Sequence, residues 1–340
     1  MLNKHWIKYV ETHTAGNPTR HLLGGTPRIV GSTMSEKMLY MQQNHDWIRR
    51  ITMMEPRGHS CMSGALYTEP CNPDADMGIL YFDACNYMEM CGHSTIAVAT
   101  VLVETGMVKV TGQTASVKLD TPAGLVTANV KVSSFGVEQV SFQNVPSFLY
   151  GSKEIDIHPF GKIMVHVSFG GMAYAIVNAK DIGIRVNTHN AAELSGIAHV
   201  IHKAAQREIG FVHPYKPFID RIHSVMIVDE PVAEGAHCKE VVVCIPAEEG
   251  NSTAIDRSPC GTGTSARIAA EFALGKAALG QPLVHESIIG TCFTGRIIEK
   301  AKVGSFEGGI PEITGSAYLT ASGEFIMDPR DSVQDGFIMG

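Results

Sequence analysis

The feature that most constrains this chain is a repeat. Cys-Gly-x-x-Thr occurs twice, as Cys91-Gly92-His93-Ser94-Thr95 and as Cys260-Gly261-Thr262-Gly263-Thr264, half a chain length apart in 340 residues. Each motif leads into small and apolar residues, Ile96 to Val103 in one case and Ile268 to Leu274 in the other. Each run closes on a glycine, Gly106 or Gly275, at the same fifteen-residue interval. This is the pattern of a diverged internal duplication. Serine and threonine in the first turn, where they can cap open N–H groups, and glycine after the last turn mark both runs as helices. A helix apolar on nearly every face is buried, so each is expected at the centre of its own domain. Strand-like runs surround them, such as Ile79-Leu80-Tyr81-Phe82, Ala173-Tyr174-Ala175-Ile176-Val177 and Val241-Val242-Val243-Cys244-Ile245. The expected fold is α/β (α+β): two pseudosymmetric domains, each a β-sheet or barrel wrapped around a central helix. The length fits about two domains, placed at 1–130, with a tail at 321–340 that can return to it, and at 131–320.

Two cysteines at two helix starts make a chemical statement. A helix N-terminus carries unpaired N–H groups and a partial positive charge, which favour a thiolate and bind a carboxylate. The glycine after each cysteine lets backbone approach a ligand closely. Two such sites facing one small molecule would place a thiolate on one side of a carbon and a thiol on the other. One removes a proton from Cα and the other returns one to the opposite face, while the helix ends stabilise charge developing on the carboxylate. The candidate acid/base pair is therefore Cys91 and Cys260. The competing reading is a packing relic with cysteine as a tolerated core residue, but it leaves the polar residues at both helix mouths unexplained.

The chain resembles the proline racemase family, which includes 4-hydroxyproline 2-epimerases and trans-3-hydroxyproline dehydratases. The resemblance rests on segments in order along nearly the whole chain: Thr12-His13-Thr14-Ala15-Gly16-Asn17-Pro18-Thr19-Arg20, Glu55-Pro56-Arg57-Gly58-His59, Met90-Cys91-Gly92-His93, Asp256-Arg257-Ser258-Pro259-Cys260-Gly261-Thr262-Gly263-Thr264-Ser265, Thr314-Gly315-Ser316-Ala317-Tyr318 and Gly336-Phe337. It implies a fold like that of diaminopimelate epimerase, often a homodimer, working without pyridoxal phosphate or a metal. Carried over, Cys91 and Cys260 resemble the acid/base pair and the backbone of Gly92, His93, Gly261 and Thr262 a carboxylate cradle. Asp256 and His93 resemble the groups that hold the substrate nitrogen. Dehydratases of the family usually replace one cysteine, so keeping both favours inversion. Proline racemases typically carry phenylalanine between Met62 and Gly64, where this chain has Ser63, and another at the end of the strand before the second motif, where Cys244 stands. Ser224 corresponds to a third pocket position, at which the epimerases often carry histidine. Small and polar pocket walls favour a hydroxylated ring, so the expected substrate is 4-hydroxyproline or else proline. The alternatives are a hydroxyproline dehydratase and a non-catalytic ligand-binding relative. Residues 248–254 read as an insertion near the pocket mouth.

Composition narrows the field further. Twenty-seven basic against 34 acidic residues give a formal charge of −7, which excludes a strongly basic nucleic-acid binder. No uncharged apolar run reaches the roughly 18 residues that read as a membrane span, and the N-terminus reads as a strand rather than a secretory signal. The expected location is the cytoplasm, with reduced cysteines and a small-molecule substrate as the partner. The histidines, His285 among them, are scattered without ligand spacing, so no metal site is read from them. Gly170-Gly171 and Gly308-Gly309 read as turns or strand ends, the many methionines as core fillers, and Arg20 and Arg57 as residues that brace loops near the cleft.

Overall fold

A computed structural model describes residues 5–246 and 254–338. The expected insertion therefore falls outside the described residues except for Ala254. The described residues divide into two compact units, 5–142 with 316–338, and 143–246 with 254–315. The first unit runs past residue 130 because strand β8 (Gly136–Gln143) stays with it: Val137 N–H bonds the Glu104 carboxylate, and Ser316 returns to bond the Glu138 carbonyl. Among the described residues no helix is long and apolar enough to cross a membrane.

In the first unit β1 (His5–Thr14) and β2 (Asn17–Gly24) form a hairpin, followed by helices α1 (Met34–His45) and α2 (Trp47–Met53). Then come β3 (Ser63–Thr68), β4 (Met77–Asp83), the short β5 (Tyr87–Met88), α3 (Gly92–Glu104), β6 (Thr114–Thr121) and β7 (Gly124–Ser133). The C-terminal β18 (Ala317–Met327) pairs with β1. Strands β1 and β2 are antiparallel, β2 and β3 parallel, β3 and β4 antiparallel, β4 and β6 parallel, β6 and β7 antiparallel.

The second unit repeats this order. It runs β9 (Ser147–Ile157), β10 (Gly161–Phe169), β11 (Ala173–Asn178), α4 (Ala191–Glu208), β12 (Ser224–Asp229), β13 (Cys238–Cys244), β14 (Ala254–Ile255), α5 (Gly261–Ala273), β15 (Leu283–Glu286), β16 (Cys292–Val303) and β17 (Phe306–Gly315). The pairings β9–β10, β10–β11, β11–β12, β12–β13, β13–β15 and β15–β16 reproduce in sign those of the first unit from β18–β1 to β6–β7. Strand β17 pairs with β16 and meets β9 through Gly308 and Gly309, which closes the barrel. These two glycines are thus neither a turn nor a strand end. A Cβ on Gly308 would lie 2.1 Å from the Ser147 carbonyl oxygen, so the crossing of two strands requires a residue without a side chain there.

Both helices read from the repeat exist, and Gly106 and Gly275 end them with φ of 74° and 71°. Every residue of α3 from Gly92 to Val103 is buried. The threonines and serines of the first turns do not cap, however: neither helix has a side-chain cap bond, and Thr264 Oγ1 instead donates to the Pro259 carbonyl. On the opposite sheet faces, Met34, Met38, Met41 and Met53 of α1 and α2 pack on Leu66 and Phe82, and Leu194, Ala198 and Ile201 of α4 pack on Val225 and Val243. These methionines fill the core as read, whereas Met107 and Met164 are exposed. Arg20 pairs with Glu11 and donates to the carbonyls of Thr52 and Arg57, while Arg57 bonds the Gln334 carbonyl. Both arginines brace loops of the first unit.

Candidate active site

Each unit gathers its candidate site residues at the same register positions. In the first, Ser63 on β3 lies opposite Thr19 of β2 and Asp83 of β4. In the second, Ser224 on β12 lies opposite Tyr174 of β11 and Cys244 of β13. Ser63 and Ser224 are therefore structural counterparts, as are Thr19 and Tyr174, and Asp83 and Cys244.

In the first unit Cys91 takes the N-cap position of α3 and is 4% exposed. The first intrahelical bond runs from Thr95 N–H to the Cys91 carbonyl, so the N–H groups of the first turn precede the helical ladder. The Cys91 thiol donates to Ser94 Oγ at 3.1 Å, and Ser94 Oγ lies 3.1 Å from Thr19 Oγ1. The His93 ring is held by the β1–β2 hairpin. Ala15 and Gly16, with φ of 51° and 94°, make the tight turn that places Thr14 and Asn17 side by side. Thr14 Oγ1 donates to the His93 carbonyl, and the Asn17 amide nitrogen lies 3.0 Å from His93 Nε2. An amide donating to Nε2 leaves the ring proton on Nδ1, and Nδ1 sits 3.5 Å from the Cys91 sulfur.

In the second unit Cys260 holds the same place at the start of α5, but its backbone differs. Its φ is 56°, against −136° at Cys91. A non-glycine residue in the left-handed region costs on the order of 1–2 kcal/mol, and it is held there by Ser258, whose hydroxyl accepts from Cys260 N–H and donates to Asp256 Oδ1. Gly263 makes room for the sulfur: a Cβ there would stand 3.2 Å from Cys260 Sγ and 2.7 Å from Met226. Tyr174 hydroxyl lies 3.5 Å from Cys260 Sγ and 2.6 Å from Thr262 Oγ1. Burial pushes the Cys260 thiol well above its ordinary pKa, and the Asp256 carboxylate pushes it further; the Tyr174 hydroxyl, the Gly263 N–H and the Thr262 hydroxyl pull it back. Tyr174 stays a phenol, raised by burial and then by the charge of Cys260.

Within each unit the structure gathers the residues singled out from sequence. Cys91, Gly92 and His93 open α3, with Ser63 buried on the wall strand paired to Thr19. Asp256, Cys260, Gly261 and Thr262 open α5, with Ser224 and Cys244 paired to each other on the wall. The sequence reading missed Tyr174, Ser94, and the Thr14 and Asn17 grip on His93. The signal for Tyr174 was the parallel register with Ser224, which no local pattern reveals.

The family model described as "Proline racemase" matches residues 9–338. The chain is 40% identical over 334 residues to the proline racemase of Clostridioides difficile, covering 98% of each. It is 38% identical over 340 residues to the 4-hydroxyproline 2-epimerase of Streptosporangium roseum, covering 100% of each. Among solved structures, a hydroxyproline epimerase from Agrobacterium vitis with bound trans-4-hydroxy-L-proline is similar with a TM-score of 0.92 and 28% identity, covering 100% of this chain and 96% of the other.

Proposed function

The chain belongs to the proline racemase family, and we propose that it inverts Cα of 4-hydroxyproline or proline by a two-thiol acid/base reaction. The observation that supports this most is the doubled half-site: a cysteine at the N-terminus of a buried helix in each of two units of like connectivity. In this reading the units are the two halves of a duplicated epimerase fold, and Cys91 and Cys260 address opposite faces of one bound amino acid. The first-turn N–H groups at Gly92, His93, Gly261 and Thr262 face its carboxylate and stabilise the charge that grows there as the Cα proton leaves. Asp256 receives the substrate nitrogen. Its negative charge disfavours a Cys260 thiolate, and a bound cation removes that penalty, so substrate binding itself prepares the base. His93, kept in one orientation by Asn17, directs Nδ1–H at the Cys91 sulfur. Ser63 and Cys244 stand where proline racemases carry phenylalanine, and these smaller side chains support a hydroxylated ring over proline, although Ser224 takes a place where the epimerases often carry histidine.

The test is a panel of L- and D-proline, cis- and trans-4-hydroxyproline and trans-3-hydroxyproline, followed by polarimetry and mass spectrometry in deuterated buffer. Inversion with one deuterium at Cα, fastest on a 4-hydroxyproline, is expected. Elimination from trans-3-hydroxyproline without inversion of the others would make the chain a dehydratase, and no turnover of any member would leave a binding protein.

A further inference from the structure

The duplication supplies an internal control for every residue of the second unit. Strand β13 carries Cys238 and Glu240, two residues apart and so on one face, and β15 carries His285 directly opposite Cys238. All three are buried, and one donor atom from each lies within 4.8 Å of the others. The counterparts in the first unit, by the same parallel register, are Met77, Ile79 and Leu119. A barrel of this connectivity therefore does not need polar groups there. The neighbouring position makes the contrast plain. Glu286 in the second unit and Asp120 in the first each accept two backbone N–H bonds, from Val232 and Ala233 and from Cys71 and Asn72. That carboxylate is required by the fold, and the Cys-Glu-His set is not.

We propose that Cys238, Glu240 and His285 form a site for a zinc-class divalent transition-metal ion, distinct from the racemisation site. Sulfur, imidazole nitrogen and carboxylate oxygen are the donor set that such ions select. A thiolate and a carboxylate balance the charge of a divalent ion inside the barrel wall. Zinc bonds of about 2.0–2.3 Å place donor atoms roughly 3.3–3.8 Å apart; His285 Nδ1 already stands 3.0 Å from Glu240 Oε2, and with all three donors within 4.8 Å of one another, binding needs shifts of no more than about 1.5 Å. Cys238 also lines a cavity of about 530 Å³ on this unit. Outside the ligands, Thr264 Oγ1 lies 3.4 Å from Glu240 Oε1, and Thr264 N–H bonds the Cys260 carbonyl. The ion thus ties the barrel wall to the first turn of the helix that begins after Cys260.

The full-length protein, stripped with a chelator and dialysed, is titrated with Co²⁺ and read by the thiolate-to-cobalt charge-transfer band in the near ultraviolet. One equivalent is expected, displaced by Zn²⁺. Binding should weaken by at least ~100-fold in Cys238→Ser and His285→Leu, given that second-shell changes alone cost about 10–100-fold. The band should persist when Cys91 and Cys260 are both changed to serine. Absence of the band, or its survival in Cys238→Ser, overturns the proposal. Should the ligand variants fail to fold by circular dichroism, X-ray absorption at the zinc edge of the wild-type protein decides: a shell with one sulfur supports the site, and a shell of nitrogen and oxygen alone refutes it.

Discussion

Changing Tyr174 to phenylalanine isolates one atom of the second half-site. The phenol oxygen sits 3.5 Å from Cys260 Sγ and 2.6 Å from Thr262 Oγ1, and the ring is fully buried, so Phe fills the same space. A hydrogen bond to a charged group is worth about 1.5–3 kcal/mol. The bond favours the Cys260 thiolate, and its loss raises the barrier by that amount whenever Cys260 acts as the base. The expected fall in kcat/KM is about 10- to 150-fold. The sign for pH follows: with the hydroxyl gone the Cys260 thiol moves further up, so the rising limb of kcat/KM shifts to higher pH and part of the loss is recovered in base. With proline the two enantiomers have equal free energy, so kcat/KM must fall by the same factor in both directions. Losing the Thr262 contact should cost about 1 kcal/mol of stability, visible in a denaturant melt. The assay is polarimetry from pH 6 to 10 on both enantiomers. Activity within twofold of wild type and an unmoved limb would refute the role given to Tyr174 and the assignment of Cys260 as a base.

Further expectations concern pocket, packing and acid stability. Ser63→Phe should raise the ratio of proline to 4-hydroxyproline kcat/KM, measured on purified substrates; an unchanged ratio would remove Ser63 from the pocket wall. Gly170→Ala should destabilise the second unit by roughly 2 kcal/mol through overpacking, because its Cβ would lie 2.3 Å from both Ala266 N and the Thr262 carbonyl oxygen of α5; a neutral melt would contradict that packing. Burial lowers the pKa of His21 and of His223 from 6.5 to about 3. Both are neutral when folded at moderate acidity, whereas the unfolded chain takes up protons below pH 6.5. Stability is therefore full above that value and is lost as pH falls toward 3, by about 2 kcal/mol per histidine at pH 5. His21→Gln should flatten that slope in urea melts at pH 7 and 5.

Much of this architecture was legible because a duplication writes the same signals twice. The two Cys-Gly-x-x-Thr starts, the apolar runs and the terminal glycines located α3 and α5, since burial on all faces needs no tertiary information to recognise. Ser63 and Ser224 were read from sequence as separate pocket positions, and the paired strands show them to be one register position in two copies. What stayed hidden depends on register. Tyr174 reads as one more apolar strand residue until β11 lies parallel to β12. Cys238 and Glu240 are near neighbours, but His285 lies 45 residues beyond Glu240, too far for any local ligand spacing, and the three meet only because β13 and β15 pair. Gly308 and Gly309 imitate a turn because local composition cannot show that two strands cross there. The capping expectation failed for a related reason: Thr264 bonds the Pro259 carbonyl, and Cys260 sits in a left-handed conformation that sequence does not announce.

The two-thiol mechanism requires each sulfur to serve one face of the same carbon, and single-cysteine variants in deuterated buffer test that most directly. Cys260→Ser keeps the base of one face, so it should exchange the Cα hydrogen of one enantiomer with solvent without inverting it. Cys91→Ser should do the same for the opposite enantiomer, and neither should racemise. Exchange of the same enantiomer by both variants, or inversion by either one, would contradict the two-thiol mechanism.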